Sequence, residues 1–325
     1  VKKIVVYAAC VLFLALLCRH TAACADAVRA ALKLCLFSAL PSLFPFFAAG
    51  SLAVSTGLAG ACGRLLAPLM RTCFHLPGCG AAALALGFLG GYPAGARMAA
   101  DLWHAGLCTR EEASCLAACC NNTGPAFLIG LCGGGLFHSL RAGVFLYLVH
   151  IAAALLTAFV LRPKSRPPAA AAPASEELPL FHCLTRSVLS AGRSCLMIGA
   201  FLLFFSVVLC LLRQTGVLPA AAATLTPLLA PLGLSSRGVT AVLTGCVELT
   251  QGLAALSAEA GCLSARLTAV SFVCAFGSLS VLFQTAAAAE GLSFRRCVCG
   301  KCVHACFAAL LCALTLLLLP GARFV

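Results

Sequence analysis

Charge is what this chain has least of. Asp, Glu, Lys and Arg make up 10% of its 325 residues and hydrophobic residues 62%, whereas a soluble domain is about a quarter charged and about half apolar. Mean hydropathy is +1.07, so water is not the main solvent of this chain. Catalytic signatures are lacking as well. No Gly-x-Ser-x-Gly, His-Glu-x-x-His or Gly-x-x-x-x-Gly-Lys-Ser/Thr pattern occurs. Glu248 has no second carboxylate beside it with which to build an intramembrane hydrolase. The chain is therefore expected not to be an enzyme and to need no cofactor.

Acids are scarcer than bases, nine Asp and Glu against 22 Lys and Arg, for a net charge of +13. In a soluble protein that balance points to nucleic acid. Here the bases stand one or two at a time between apolar runs, which sets topology rather than building a groove, and no nucleic-acid partner is expected. The denser Lys2-Lys3 and Arg162-Pro-Lys-Ser-Arg166 belong on the cytoplasmic side by the positive-inside rule. The N-terminal run, with Lys2-Lys3 before it and Ala23-Cys24-Ala25 after it, fits a cleavable signal peptide or an uncleaved anchor; the anchor is the reading adopted.

Cysteine is plentiful, 23 residues, yet most lie inside apolar runs, where thiols behave as small hydrophobes. The cluster Cys297-Val-Cys-Gly-Lys-Cys-Val-His-Ala-Cys306 holds zinc-type ligands without the separated pairs of a zinc knuckle. It reads as a Cys-rich helix start, and no metal is expected. His75, His138 and His150 have no liganding neighbours at useful spacing and read as packing or interfacial residues.

Apolar length is what the chain has instead. Runs at 4–18, 34–58, 142–161, 195–212 and 303–319 approach or reach the roughly 20 residues that span a bilayer as helix. The expected fold is an all-α polytopic helix bundle of about eight spanning or half-spanning segments, with the lipid bilayer as its principal partner. One break in composition, 162–179, is rich in Pro, Ala and charge and closes with Glu176-Glu177, which reads as a linker. It divides the chain into 1–33, an anchor and connecting segment, 34–161, a first half, and 180–325, a second half.

The halves resemble each other. Gly80-Ala-Ala-Ala-Leu-Ala-Leu-Gly87 aligns with Gly238-Val-Thr-Ala-Val-Leu-Thr-Gly245, and Cys120-Asn-Asn-Thr-Gly-Pro-Ala-Phe with Phe276-Gly-Ser-Leu-Ser-Val-Leu-Phe. Each half is interrupted twice: at Gly87-Phe-Leu-Gly-Gly-Tyr-Pro-Ala-Gly95 and Asn121-Asn-Thr-Gly-Pro125, then at Glu248-Leu-Thr-Gln-Gly252 and Gly277-Ser-Leu-Ser280. Single glycines in membrane helices usually serve close packing. Two breaks in matching places argue for a cavity, because non-helical backbone at membrane depth must be satisfied by protein or by water, and transporters built from two related halves place their sites at such interruptions.

The breaks suggest an anion site. Pro93 and Pro125 stand where helices restart, and Asn121, Asn122 and Thr123 are of the types that cap such starts, so free N–H groups and a positive dipole end would point at one region. Gly91, Tyr92, Gly95, Thr250, Gln251, Gly252 and Ser278 complete the candidate binding set. Arg97 lies one turn beyond Pro93, as a carboxylate contact or an ordinary interfacial arginine. Glu248, the only acid in the apolar run 238–256, is given a coupling role, holding a proton or cation or pairing with Arg97; the alternative is an acid at a helix end near the surface. Asp101, Trp103 and His104, with Thr109-Arg-Glu-Glu112, read as a polar loop outside the bilayer.

At these motifs the chain resembles the YlbJ-type sporulation integral membrane proteins, a branch of the nucleoside-recognition, or Gate, group. The resemblance covers roughly residues 5–320 and rests on Leu40-Pro-Ser-Leu-Phe-Pro-Phe-Phe47, on Gly91-Tyr-Pro-Ala-Gly-Ala-Arg97 with Thr109-Arg-Glu-Glu-Ala113, on Asn121-Asn-Thr-Gly-Pro-Ala-Phe127 and on Glu248-Leu-Thr-Gln-Gly252. It implies two Gate-like halves and a distant relation to concentrative nucleoside transporters and to the gate region of the ferrous iron transporter. It further implies export of dipicolinate across the mother-cell-derived outer forespore membrane. Asn122 departs from the pattern, standing where a hydroxyl residue is expected. A transporter of nucleosides or another small polar solute, and a scaffold for spore assembly, are the competing readings; a scaffold would call for a large polar binding domain, which these residues do not contain. A small anion is the expected ligand, and a homo-oligomer is compatible with the sequence.

Overall fold

Inside a bilayer a helix satisfies its own backbone, which a lone strand cannot do, and among the described residues the apolar runs are almost entirely helical. The computed structural model describes residues 2–56, 58–163 and 179–318, and among them there is helix and no strand. Most of the linker expected at 162–179, including Lys164, Arg166, Glu176 and Glu177, lies outside the described residues.

The chain opens with α1 (Lys2–Arg19), α2 (Thr21–Leu34), a π-helical stretch Cys35–Ala39 and α3 (Leu40–Ser55). Thr21–Ala53 is continuous enough to cross a membrane, so the boundary expected at residue 34 falls inside a helix. After α3 come α4 (Leu58–Thr72), α5 (Gly80–Gly90), α6 (Ala94–His104), α7 (Arg110–Cys120), a π-helix Ala126–Leu136 and α8 (Leu140–Val160). The second series is α9 (Leu180–Gln214), α10 (Val217–Leu229), α11 (Ser236–Val247), α12 (Leu249–Ser257), α13 (Leu263–Phe276), α14 (Ser278–Ala288) and α15 (Phe294–Leu318). Among the described residues five helices are long and apolar enough to cross a membrane, and a sixth span results if the pair Val217–Leu232 and Ser236–Val247, bent by 111°, counts as one. Gly80–Gly90 and Ala126–Leu136 are apolar but too short to cross alone. The protein is an integral membrane protein.

Several helix starts carry side-chain caps. Thr109 Oγ1 accepts the Glu112 N–H while Glu112 Oε2 accepts the Thr109 N–H, a capping box that begins α7. The stretch Thr109-Arg-Glu-Glu112 is thus a helix N-terminus, and Asp101, Trp103 and His104 are the last turn of α6, rather than one polar loop. At the starts of α8 and α11 the hydroxyls of Ser139 and Ser235 accept Ala142 and Gly238 N–H, without the return bond of a capping box.

The order of elements is the same after α3 and after α9: a single helix, a helix that breaks and restarts, another that breaks and restarts, and a long final span. In each series the first broken pair is packed glycine on glycine. A Cβ on Gly95 would strike Cys120 O and meet Gly87 Cα at 3.0 Å, and a Cβ on Gly252 would strike the Gly245 backbone. The two series interleave, with α12 against the π-helix, α14 against α6, α15 against both α7 and α8, and α9 along α3. Leu43, Tyr92, Phe127, Leu249 and Val273 meet in the core between them.

At one edge Arg296 pairs with Glu111, joining α15 to α7, with side chains 43% and 72% exposed. Exposed pairs contribute little. Arg296→Ala is expected to change stability by less than about 1 kcal/mol, read as a melting-temperature shift of at most a few degrees in detergent; a much larger loss would mean that this contact locks the two series together.

Candidate functional site

Four interruptions converge at the centre of the bundle. The first is Gly91-Tyr92-Pro93, between α5 and α6, where Gly91 takes φ 70°. The second is Asn121-Asn122-Thr123-Gly124, between α7 and the π-helix. They lie backbone to backbone: a Cβ on Gly91 would meet Gly124 N at 3.0 Å, and one on Gly124 would meet Gly91 Cα at 2.9 Å. Side chains tie them together as well. The Thr123 hydroxyl is 2.8 Å from the Tyr92 hydroxyl and 2.7 Å from Cys274 O. A carbonyl can only accept, so the one Thr123 proton belongs to Cys274 O and Tyr92 donates to Thr123.

The third interruption is a single residue, Glu248, in extended conformation between α11 and α12. Its carboxylate accepts Thr250 N–H (3.1 Å) and Gln251 N–H (2.7 Å), so it caps α12, with its charge at the positive end of the helix dipole. It is 3% exposed. The fourth is Gly277-Ser278, both in the left-handed region, with Ser278 buried and its hydroxyl accepting Val281 N–H.

Beside the first and third of them is a small cavity, about 10 Å³, lined by Tyr92, Glu248, Thr250, Ser280 and Gln284 among its polar residues. That volume accepts about one water.

The candidate residues fall into two groups. Tyr92, Asn121, Asn122, Thr123, Glu248, Thr250 and Ser278 are buried polar groups of this centre. Gly91, Gly95 and Gly252 shape it through backbone contact, and Gln251 donates from Nε2 to Ser206 Oγ of α9. Arg97 is exposed, so the ion pair with buried Glu248 considered from the sequence is not formed. The expected capping by Asn121, Asn122 and Thr123 is also corrected. The π-helix starts after Pro125 without a side-chain cap, as α6 does after Pro93. Asn121 Nδ2 donates instead to Thr285 Oγ1 (2.7 Å) and Asn122 Nδ2 to Cys119 O (2.9 Å). Their side-chain oxygens are buried without a partner.

Three residues at the centre were not among the sequence candidates, and one of them, His150, had read as a packing or interfacial residue. His150, on α8, accepts the Thr123 N–H at Nε2 (3.0 Å), which leaves the proton of a neutral ring on Nδ1, buried without a partner. His304, on α15, packs against it with ring centroids 4.4 Å apart and the rings tilted by 54°, and its Nε2 lies 3.2 Å from His150 O. Lys301, one turn before His304, is 1% exposed, and its Nζ donates to Asn121 O (2.9 Å). The signal was an ionisable pair at i, i+3 within a long apolar run, masked by the cysteines around it. Those cysteines do not converge: Cys297 is buried, whereas Cys299, Cys302 and Cys306 are exposed. Among the described residues no three His, Cys, Asp or Glu side chains group to hold a metal.

Broken helices meeting at a buried polar centre within apolar spans define an integral membrane protein of the interrupted-helix class. The chain belongs to the nucleoside-recognition, or Gate, family, whose profile matches residues 36–161 and 195–292. It is also 30% identical, over 294 residues that cover 82% of this chain and 71% of the relative, to the sporulation integral membrane protein YlbJ of Bacillus subtilis (strain 168). No solved structure matches.

Proposed function

We propose that this protein carries a small anionic solute across a membrane during sporulation, that dipicolinate is the solute and the outer forespore membrane the location, and that its two helix series are related halves of one transporter. The observation that carries this reading is the buried polar centre assembled at four helix interruptions. Such backbone is costly in lipid unless protein or a water-filled cavity satisfies it, and transporters place their solute sites at such interruptions. A scaffold has no use for buried amide oxygens left without partners. No side chain caps the helix starts after Pro93 and Pro125; backbone carbonyls already take part of their N–H groups, Gly91 O that of Ala94 and Gly124 O those of Phe127 and Leu128, so an anion would draw on the remainder. Glu248 lines the cavity and would couple transport to a proton or cation. The cavity holds about one water, so the conformation described is closed and solute entry requires the helices to part.

A nucleoside or other donor-bearing neutral solute is the second reading. The unpartnered Asn121 Oδ1 and Asn122 Oδ1 favour it, because they ask for a hydrogen-bond donor, which a dicarboxylate dianion lacks.

The deciding measurement is uptake of labelled dipicolinate, with uridine as competitor, into proteoliposomes containing the purified protein. Saturable dipicolinate uptake unaffected by uridine is expected. Asn122→Ala and Thr123→Ala should each weaken binding by about 1 kcal/mol, the scale of one lost hydrogen bond. Uptake abolished by uridine would favour the nucleoside reading, and no uptake of either solute would sink the transport reading.

A further inference from the structure

An anion in this centre needs a counter-charge, and helix-start N–H groups supply only part of one. The dipole end of α12 is already occupied by the Glu248 carboxylate, which accepts Thr250 and Gln251 N–H. The guanidinium of Arg97, the basic residue nearest to Pro93 in sequence, is exposed. The cation that does lie at the centre is Lys301. It is 1% exposed, and among the described residues the ion pairs found, Arg29 with Asp26 and Arg296 with Glu111, do not include it.

Its surroundings are made for it. Lys301 Nζ donates to Asn121 O of the second interruption at 2.9 Å and lies 5.7 Å from the centroid of the Tyr92 ring of the first. Its stem passes the fourth interruption at Gly277, where a Cβ would meet Lys301 Cε at 3.3 Å and Tyr92 Cε1 at 3.6 Å. One side chain therefore touches three of the four breaks. An ammonium has three donors, and the recorded acceptor is Asn121 O, with the Tyr92 ring face as a second, weaker partner. Burying a lysine without a carboxylate costs several kcal/mol, and a purely structural lysine would be expected to reach the surface along its flexible stem.

We infer that Lys301 binds the carboxylate of the transported solute, the buried ammonium supplying the charge. The inference rests on the transport reading and names the residue that would make the site select for an acid. A carboxylate arriving there completes an ion pair of low local dielectric, whereas a neutral analogue of the same shape gains no such contact. Tyr92 lies between this lysine and the cavity that Glu248 lines, so the acid and the base of the centre face a solute from different sides.

The test compares wild type, Lys301→Met and Lys301→Arg in proteoliposomes and in detergent titrations, with dipicolinate and with pyridine-2,6-dicarboxamide as its neutral counterpart. Wild type should prefer the dianion by about 10- to 100-fold, the range for a hydrogen bond to a charged group. Lys301→Met should lose that preference while Lys301→Arg keeps part of it, and a merely structural lysine would not move the ratio. If Lys301→Met does not survive extraction, the wild-type ratio decides: equal affinity for the dianion and the diamide overturns the inference. Transport of dipicolinate by Lys301→Met at the wild-type ratio overturns it too, and leaves the transport reading standing. Absence of transport by wild type removes that reading, and the inference with it.

Discussion

Gly252→Ala is expected to destabilise the protein by about 2–3 kcal/mol, the upper range for overpacking a closely packed site, and to abolish transport. A Cβ at this position would strike Gly245 Cα and N and meet Ala241 O at 3.1 Å. All of these are backbone atoms of α11, so relief comes only by moving one helix away from the other. That helix pair holds Glu248 at its turn, and a shift of α12 would carry Thr250 and the cavity wall with it. Gly192 is the control: a Cβ there meets nothing within 4 Å, so Gly192→Ala should be neutral or stabilising by up to about 1 kcal/mol from helix propensity. Thermal unfolding in detergent, followed by loss of helical circular dichroism, reads both. A Gly252→Ala protein melting with wild type would show that α11 and α12 are free to separate, and the glycine contact would then carry no meaning for the site.

The same glycines show what was legible beforehand and what was not. Long spans such as Leu140–Val160 and Phe294–Leu318 were readable from apolar run length, because lipid imposes that length directly. Three interruptions were readable from clusters of Gly, Pro and Asn, and the chain does break at Tyr92–Pro93, at Asn121–Gly124 and at Gly277, whereas Pro45, Pro68 and Pro227 stay inside helices and the break at Glu248 was marked by its lone acid. What those residues then bind was not readable. Asn121 and Thr123 have the chemistry of caps, yet their partners, Thr285 and Cys274, are 164 and 151 residues away in sequence, and long-range contacts leave no local pattern. Lys301 and His304 were hidden for the same reason: their acceptors lie 180 and 154 residues away. Among the cysteines around them they read as part of a Cys-rich helix start, whereas the rule that an ionisable residue inside an apolar span has a partner or a purpose would have singled them out.

Glu248→Gln is expected to lower transport roughly tenfold or more, a barrier change of about 1.4 kcal/mol or above, while the protein stays folded in the membrane. The difficulty is that Glu248 does two things at once. Its two oxygens accept two backbone N–H groups at the start of α12, and its charge faces the cavity. Glutamine keeps one acceptor oxygen and turns an NH₂ group toward the other N–H, so it damages the cap as well as removing the charge. Two further variants separate the effects. Glu248→Asn retains the side-chain type among the best at capping and carries no charge, whereas Glu248→Asp retains both cap chemistry and charge on a shorter stem. If the charge couples transport, Glu248→Asn should melt close to wild type yet lose flux across a pH series, with Glu248→Asp retaining activity. If Glu248→Asn transports at the wild-type rate at every pH, the carboxylate serves only to start α12. A loss of flux that tracks loss of melting temperature across all three variants would say the same, and the coupling group would then have to be sought among the other buried ionisable side chains, Lys301, His150 and His304.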